Sequence, residues 1–229
     1  MSAAGTPAEL DAMVSRRAAG EPLEQVIGWA EFCGLRIAVA PGVFVPRRRT
    51  EFLVRQAVAL AQPGAVIVDL CCGAGAIGAA LAAVVERAEV HAADVDQAAV
   101  RCARQNLPAG HVYRGDLYEP LPAGLRGRVR LLAANVPYVP TGEIRYLPPE
   151  ARVHEPAAAL DGGPDGLDVL RRVAAGALAW LAPGGHLLSE TSERQAPLAG
   201  EVLAAAGLAA RVVSSDDLGA TVVIGQRPR

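Results

Sequence analysis

The run AVIVDLCCGAGAIG, residues 65–78, constrains the fold of this chain more than any other stretch. It passes from β-branched apolar residues through a glycine-rich turn into a helix-like segment. Its Gly73-x-Gly75-x-x-Gly78 spacing suits a turn in which the backbone comes close to a bound cofactor. Asp94 stands 19 residues beyond Gly75, where a second strand should end. EVHAADV, HVYRGDL, VRLLAAN and GHLLSET are further strand candidates, and helices are predicted over 76–87, 96–106 and 166–181. Alternation of this kind predicts a mostly parallel sheet covered on both faces, an α/β fold. The chain ends differently. A helix predicted over 193–206 leads to ARVVSS and TVVIG, whose short Asp-rich link cannot hold a crossover helix, so the last two strands should be antiparallel.

Ahead of the sheet, Thr6 and Pro7 start a helix that Gly20 closes. EFCGLRIAVAPGVFV reads as two short strands turning at Pro41-Gly42, and residues 50–61 have helical apolar spacing. Pro63-Gly64 divides the chain into a helix-plus-hairpin extension over 1–62 and a main domain over 63–229. A net charge of −2 gives no general attraction for polyanions, so direct nucleic-acid binding is not expected. All 22 basic residues are arginine, which excludes Schiff-base lysines and a phosphate-loop lysine. Cys33, Cys71, Cys72 and Cys102 lack the paired spacing of a zinc site and read as reduced thiols, so no metal is expected. With no basic-then-apolar leader and no apolar run of membrane length, a soluble cytoplasmic protein is expected.

Acidic residues fall at three successive strand ends. Asp69 precedes the glycine turn, where its charge suits a cationic sulfonium and amine and opposes a pyrophosphate. Asp94 is placed to take both ribose hydroxyls, and Asp116-Leu117 to frame an adenine. This set favours S-adenosylmethionine as cofactor. The fourth strand of the sheet runs into Asn135-Val136-Pro137-Tyr138. An amide or aromatic amino nitrogen has its lone pair spread into a π system and attacks carbon only when held so that the pair points at it. An Asn oxygen and a nearby backbone carbonyl can accept both N–H groups, and a Tyr face can cover the planar group. Asn and Pro also serve as ordinary turn formers after a strand.

A parallel sheet finished by an antiparallel hairpin resembles the class I, Rossmann-like S-adenosylmethionine-dependent methyltransferases. Over residues 22–226 the chain resembles more narrowly the HemK/PrmC-type protein-glutamine N5-methyltransferases. The likeness rests on PLEQVIGWAEFCGLRIAVAPGVFVPRRRTEFLV, DLCCGAGAIG, ADVDQAAVRCARQN, GDLYEPLP, ANVPY and HEPAAALDGGPDGLDVLRRV. It implies that Cys71, Cys72, Gly73, Ala74, Gly75, Asp94, Val95, Leu117 and Asn135 contact S-adenosylmethionine, which leaves as S-adenosylhomocysteine. Asn135, Val136, Pro137 and Tyr138 would grip the target amide, and Phe44 would pack on its other side. The implied partner is a protein carrying a target glutamine, a translation factor or ribosomal protein.

Three departures stand out. Val136 replaces the family's usual proline, keeping the carbonyl acceptor but losing the ring-fixed torsion. Only one helix precedes the shared region, where release-factor enzymes carry a larger helical domain. Arg48 and Arg49 replace a proline and an acidic residue; Arg47–Arg49 read either as a solvated loop or as a contact for an acidic or RNA-bearing partner. N-methylation of a small-molecule amide or amine, and a non-catalytic cofactor-binding module, are the alternative functions. Methylation of adenine in DNA uses a similar loop, but the net charge and the lack of a DNA-reading domain argue against it.

Overall fold

A computed structural model describes residues 5–229. Helix α1 (Pro7–Ala18) begins as its sequence dictates: Glu9 N–H donates to Thr6 Oγ1 at 3.2 Å, and Thr6 N–H donates back to Glu9 Oε2 at 2.9 Å. The short α2 (Leu23–Ile27) ends at Gly28, whose φ of +83° only glycine takes without strain. Strands β1 (Trp29–Phe32) and β2 (Leu35–Ala38) pair antiparallel. Their turn is Cys33-Gly34, with φ of +51° and +74°, not Pro41-Gly42 as expected. Two residues with positive φ make the tight hairpin loop that matches strand twist. Pro41-Gly42 forms a later turn, closed by Val43 N–H on the Ala40 carbonyl at 3.1 Å, which delivers Phe44 to the main cavity.

After α3 (Glu51–Leu60), the elements are β3 (Val66–Leu70), α4 (Ala76–Val84), β4 (Glu89–Asp94), α5 (Gln97–Asn106), β5 (His111–Arg114) and β6 (Val129–Ala134). They continue with α6 (Pro149–His154), α7 (Asp168–Trp180), β7 (Leu181–Thr191), α8 (Ala196–Ala205), β8 (Ala209–Ser215) and β9 (Ala220–Gln226). The seven-stranded sheet runs β5-β4-β3-β6-β7-β9-β8; β3 to β7 pair parallel, and β9 pairs antiparallel with both β7 and β8. Strand order therefore reverses between β3 and β6, and the crevice at their carboxyl ends is where such sheets bind ligands.

Alternate residues of β3 feed two cores. Ile67 packs with the residues of α3, α4 and α5, whereas Val66, Val68 and Leu70 pack with those of α7 and α8. Phe32, Ile37, Val43 and Val45 of the N-terminal extension join the first core, so the turn after α3 separates two lengths of chain that share one interior. Among the described residues, no helix is long and apolar enough to cross a membrane.

Candidate active site

The β3–α4 turn needs left-handed backbone at three places: Cys71, Gly73 and Gly75 have φ of +53°, +54° and +77°. Two carboxylates hold it. Asp94 Oδ2 accepts the Gly73 N–H at 2.9 Å, and its Oδ1 accepts the Asp96 N–H at 2.9 Å. Asp69 Oδ2 accepts the Gly78 N–H at 2.9 Å, tying the first turn of α4 to β3. Asp69 is 1% exposed, and its Oδ1 has no partner among the described residues. Burial, with Asp94 adding to it, pushes the Asp69 carboxyl up to about 7. Burial also raises Asp94.

A cavity of about 780 Å³ opens over this turn, within the size range of small-molecule sites. Cys71, Cys72, Gly73, Ala74, Asp94, Val95, Asp116 and Leu117 line one half; Phe44, Asn135, Val136, Pro137 and Tyr138 line the other. Two expected cofactor residues lie outside the lining. Asp69 faces the start of α4, and Gly75 faces α5, where an added Cβ would stand 3.0 Å from the Ala103 Cβ. Asp116 and Leu117 come two residues after β5 ends, not at its end; Leu117 has φ of +47°, and Asp116 pairs with Arg172. Spare carboxylate lone pairs on Asp94, the apolar Val95 and Leu117, and the glycine at 73 suit the ribose, adenine and cationic methionine parts of S-adenosylmethionine. Among the described residues, no three His, Cys, Asp or Glu side chains are grouped to hold a metal ion.

The other half carries unpaired acceptors. Asn135 Oδ1 is buried without a partner, and among the described residues no hydrogen bond reaches the Val136 carbonyl. The loop's path is fixed from outside: Val139 N–H donates to the Leu160 carbonyl at 3.0 Å, and Gly162 N–H to the Val139 carbonyl at 2.9 Å. A Cβ on Gly166 would stand 2.3 Å from the Tyr138 carbonyl oxygen, which requires glycine there and explains part of the DGGPDGLD segment.

The Tyr138 hydroxyl is locked by two other segments. Its hydroxyl donates to Glu190 Oε1 at 2.8 Å and accepts from Arg49 Nη2 at 2.7 Å. Arg49 Nε donates to the same Glu190 oxygen at 2.9 Å, while Thr50 Oγ1 donates to Glu190 Oε2 at 2.6 Å. Burial, reinforced by Glu190, keeps the phenol well above its ordinary value, so it stays a neutral donor. A parallel arrangement serves Phe44. Arg47 stacks 4.9 Å over its ring and donates to both oxygens of the buried Glu155 at 2.6 Å. Arg47 and Arg49 are thus internal tethers rather than parts of a solvated loop. Thr50 stands at the N-terminus of α3, but its side chain makes no capping bond there and instead donates to Glu190. These pairings were hidden in the sequence because each joins residues at least 52 positions apart, and those of Arg47 with Glu155 and Arg49 with Glu190 span 108 and 141.

A family model described as "Methyltransferase small domain" matches residues 34–142. The release factor glutamine methyltransferase of Geobacter sulfurreducens is 37% identical over 228 residues, 96% of this chain and 79% of that protein. The 4-amino-L-phenylalanine/4-methylamino-L-phenylalanine methyltransferase of Streptomyces pristinaespiralis is 40% identical over 191 residues, 80% of this chain and 65% of that one. In fold, the chain is similar to a methyltransferase from Pyrococcus furiosus, with a TM-score of 0.65 at 16% identity over 97% of this chain and all of the other.

Proposed function

This chain belongs to the release factor glutamine methyltransferase family, and on that premise we propose that it methylates the side-chain amide nitrogen of a glutamine in a translation release factor. The family is one of class I S-adenosylmethionine-dependent enzymes. That cofactor, when bound, supplies a methyl group made electrophilic by a sulfonium.

The chain's own residues supply position. Asp94, Val95 and Leu117 would hold the donor's adenosine end, and the turn at Cys71–Ala74 would hold its methionine part. Asn135 Oδ1 and the Val136 carbonyl accept the two amide N–H groups, so the nitrogen lone pair points along the line of transfer. Phe44 and Tyr138 close on the two faces of the amide plane and exclude water. The donor would supply its methyl carbon to the amide nitrogen, its sulfur keeping the S–CH₃ bonding pair, and one amide proton would leave to solvent. No general base is needed, because the methylated nitrogen is strongly acidic until it loses that proton. Orientation then supplies most of the acceleration, on the scale of roughly 7–11 kcal/mol for well-placed reactants.

The observation that carries this reading is the unpartnered, buried Asn135 Oδ1. A buried acceptor without a donor costs about 1–3 kcal/mol, which an incoming amide would relieve. Asn135→Ala should lower kcat on a purified release factor by at least about a hundredfold while the protein stays folded and binds S-adenosylhomocysteine by calorimetry. Unchanged turnover would remove Asn135 from the mechanism.

The Streptomyces relative's aromatic amine also presents a planar, conjugated nitrogen, and its 40% identity favours a second reading: a small aromatic amine as acceptor. Parallel assays with release factor and with 4-amino-L-phenylalanine separate the two.

A further inference from the structure

On the far side of Arg49 and Tyr138 lies a second cavity of about 750 Å³, at the ends of β7 and β8 and the start of β9. Both cavities count Arg49, Tyr138, Val139 and Leu147 among their walls, so the tethered tyrosine divides two adjoining spaces. The second is rich in acceptors. Four carboxylates, Glu143, Glu190, Glu193 and Asp216, face two arginines, Arg49 and Arg194. Arg49 is spent on Glu190, and Arg194 on Glu143 at 2.6 Å. Glu193 and Asp216 have no ion pair among the described residues. At the floor, Thr191 is 4% exposed and its Oγ1 has no hydrogen-bond partner among the described residues. Folding a hydroxyl into the interior without a partner is unfavourable, and the site gains if a ligand supplies one.

Resting on the functional reading above, we infer that this second cavity binds the polypeptide that flanks the target glutamine. Its main-chain N–H groups and a basic side chain are the donors the cavity lacks. A glutamine whose amide lies between Phe44 and Tyr138 has its backbone at the mouth of the first cavity. The neighbouring residues then pass over the Arg49–Tyr138 partition. Thr191 takes a main-chain N–H, and Glu193 with Asp216 holds a positive charge.

The test is steady-state kinetics of the full chain with methyl-labelled S-adenosylmethionine and purified release factor, using Thr191→Val and Asp216→Asn. Neither residue belongs to the transfer machinery. Each variant should raise KM for the release factor about fivefold, the worth of one hydrogen bond, with kcat and the affinity for S-adenosylhomocysteine unchanged. Asp216→Asn should also flatten the rise of KM with salt. Removing an unpaired hydroxyl does not weaken a core, so Thr191→Val should melt at or above the wild-type temperature, which a purely structural role would not allow. Wild-type transfer to the release factor with unchanged KM in both variants overturns this inference alone. No transfer by the wild type overturns the functional reading and this inference with it.

Discussion

The two halves of the main cavity are built by different means. The donor half is local: the turn at 71–75 is shaped by its own glycines and fixed by carboxylates at the ends of β3 and β4, through backbone N–H groups. The acceptor half is distant in sequence: Phe44 and Tyr138 are held by side-chain bonds spanning 108 residues from Arg47 to Glu155 and 141 from Arg49 to Glu190. A bond from a backbone N–H to a carboxylate depends on one side chain only, whereas an ion pair between distant segments stands or falls with both partners. The first half therefore depends on few side chains, and the second on several distant ones at once.

The largest effect should come from the donor half. Asp69 is buried, and its carboxyl titrates near 7 in the folded protein against an ordinary 3.8. A folded value raised above the unfolded one favours folding most below the unfolded value and loses that advantage as pH rises through the folded value. Asp69 should therefore make folding about 4 kcal/mol less favourable at pH 8 than at pH 3. Urea unfolding of the wild type beside Asp69→Asn, at intervals across that range, isolates the contribution from other acids. The stability difference between the two proteins should drift in favour of the variant as pH rises, mostly between pH 4 and 7. A flat difference would mean that the Gly78 N–H and trapped water already compensate the charge.

In the acceptor half, Glu190→Ala strands Arg49, Thr50 and Tyr138 at once. Glu190 is 2% exposed, and breaking a buried pair by removing one partner is strongly destabilising. The Arg49 side chain keeps 46% of its exposure, so water screens part of the loss, and about 2 kcal/mol is expected. A double-mutant cycle with Arg49→Met measures the coupling directly. Coupling near zero would reduce the network to a surface ion pair and erase the contrast between the two halves.

How far the sequence discloses each half follows from the same contrast. The β3-turn-α4 unit, the parallel order and the closing antiparallel strands are legible, because period and turn chemistry act over a few residues. Position along the chain does not give facing: Asp69 and Gly75 sit at the expected places yet point toward α4 and α5, away from the cavity. The hairpin turn is misread because Pro41-Gly42 is the stronger turn signal, while Cys33 adopts a positive φ that its side chain does not advertise. The roles of Arg47, Arg49, Glu155 and Glu190 are illegible to any local rule. Only the folded sheet brings them within hydrogen-bonding distance.

The smallest effect should be that of Tyr138→Phe. The hydroxyl's single proton is committed to Glu190, so it has none to offer a substrate amide. Its loss leaves Arg49 and Glu190 still joined to each other at 2.9 Å, so the cost in stability should be about 1 kcal/mol. The Phe face still covers the amide plane, and kcat should fall less than about tenfold, the equivalent of 1.4 kcal/mol, through looser positioning of the ring. Tyr138→Ala removes the face itself and should cost far more in kcat than Tyr138→Phe, with donor affinity unchanged in both. If Tyr138→Phe proves as damaging as Tyr138→Ala, the hydroxyl acts on the substrate directly and the Arg49–Glu190 tether is not what makes Tyr138 effective.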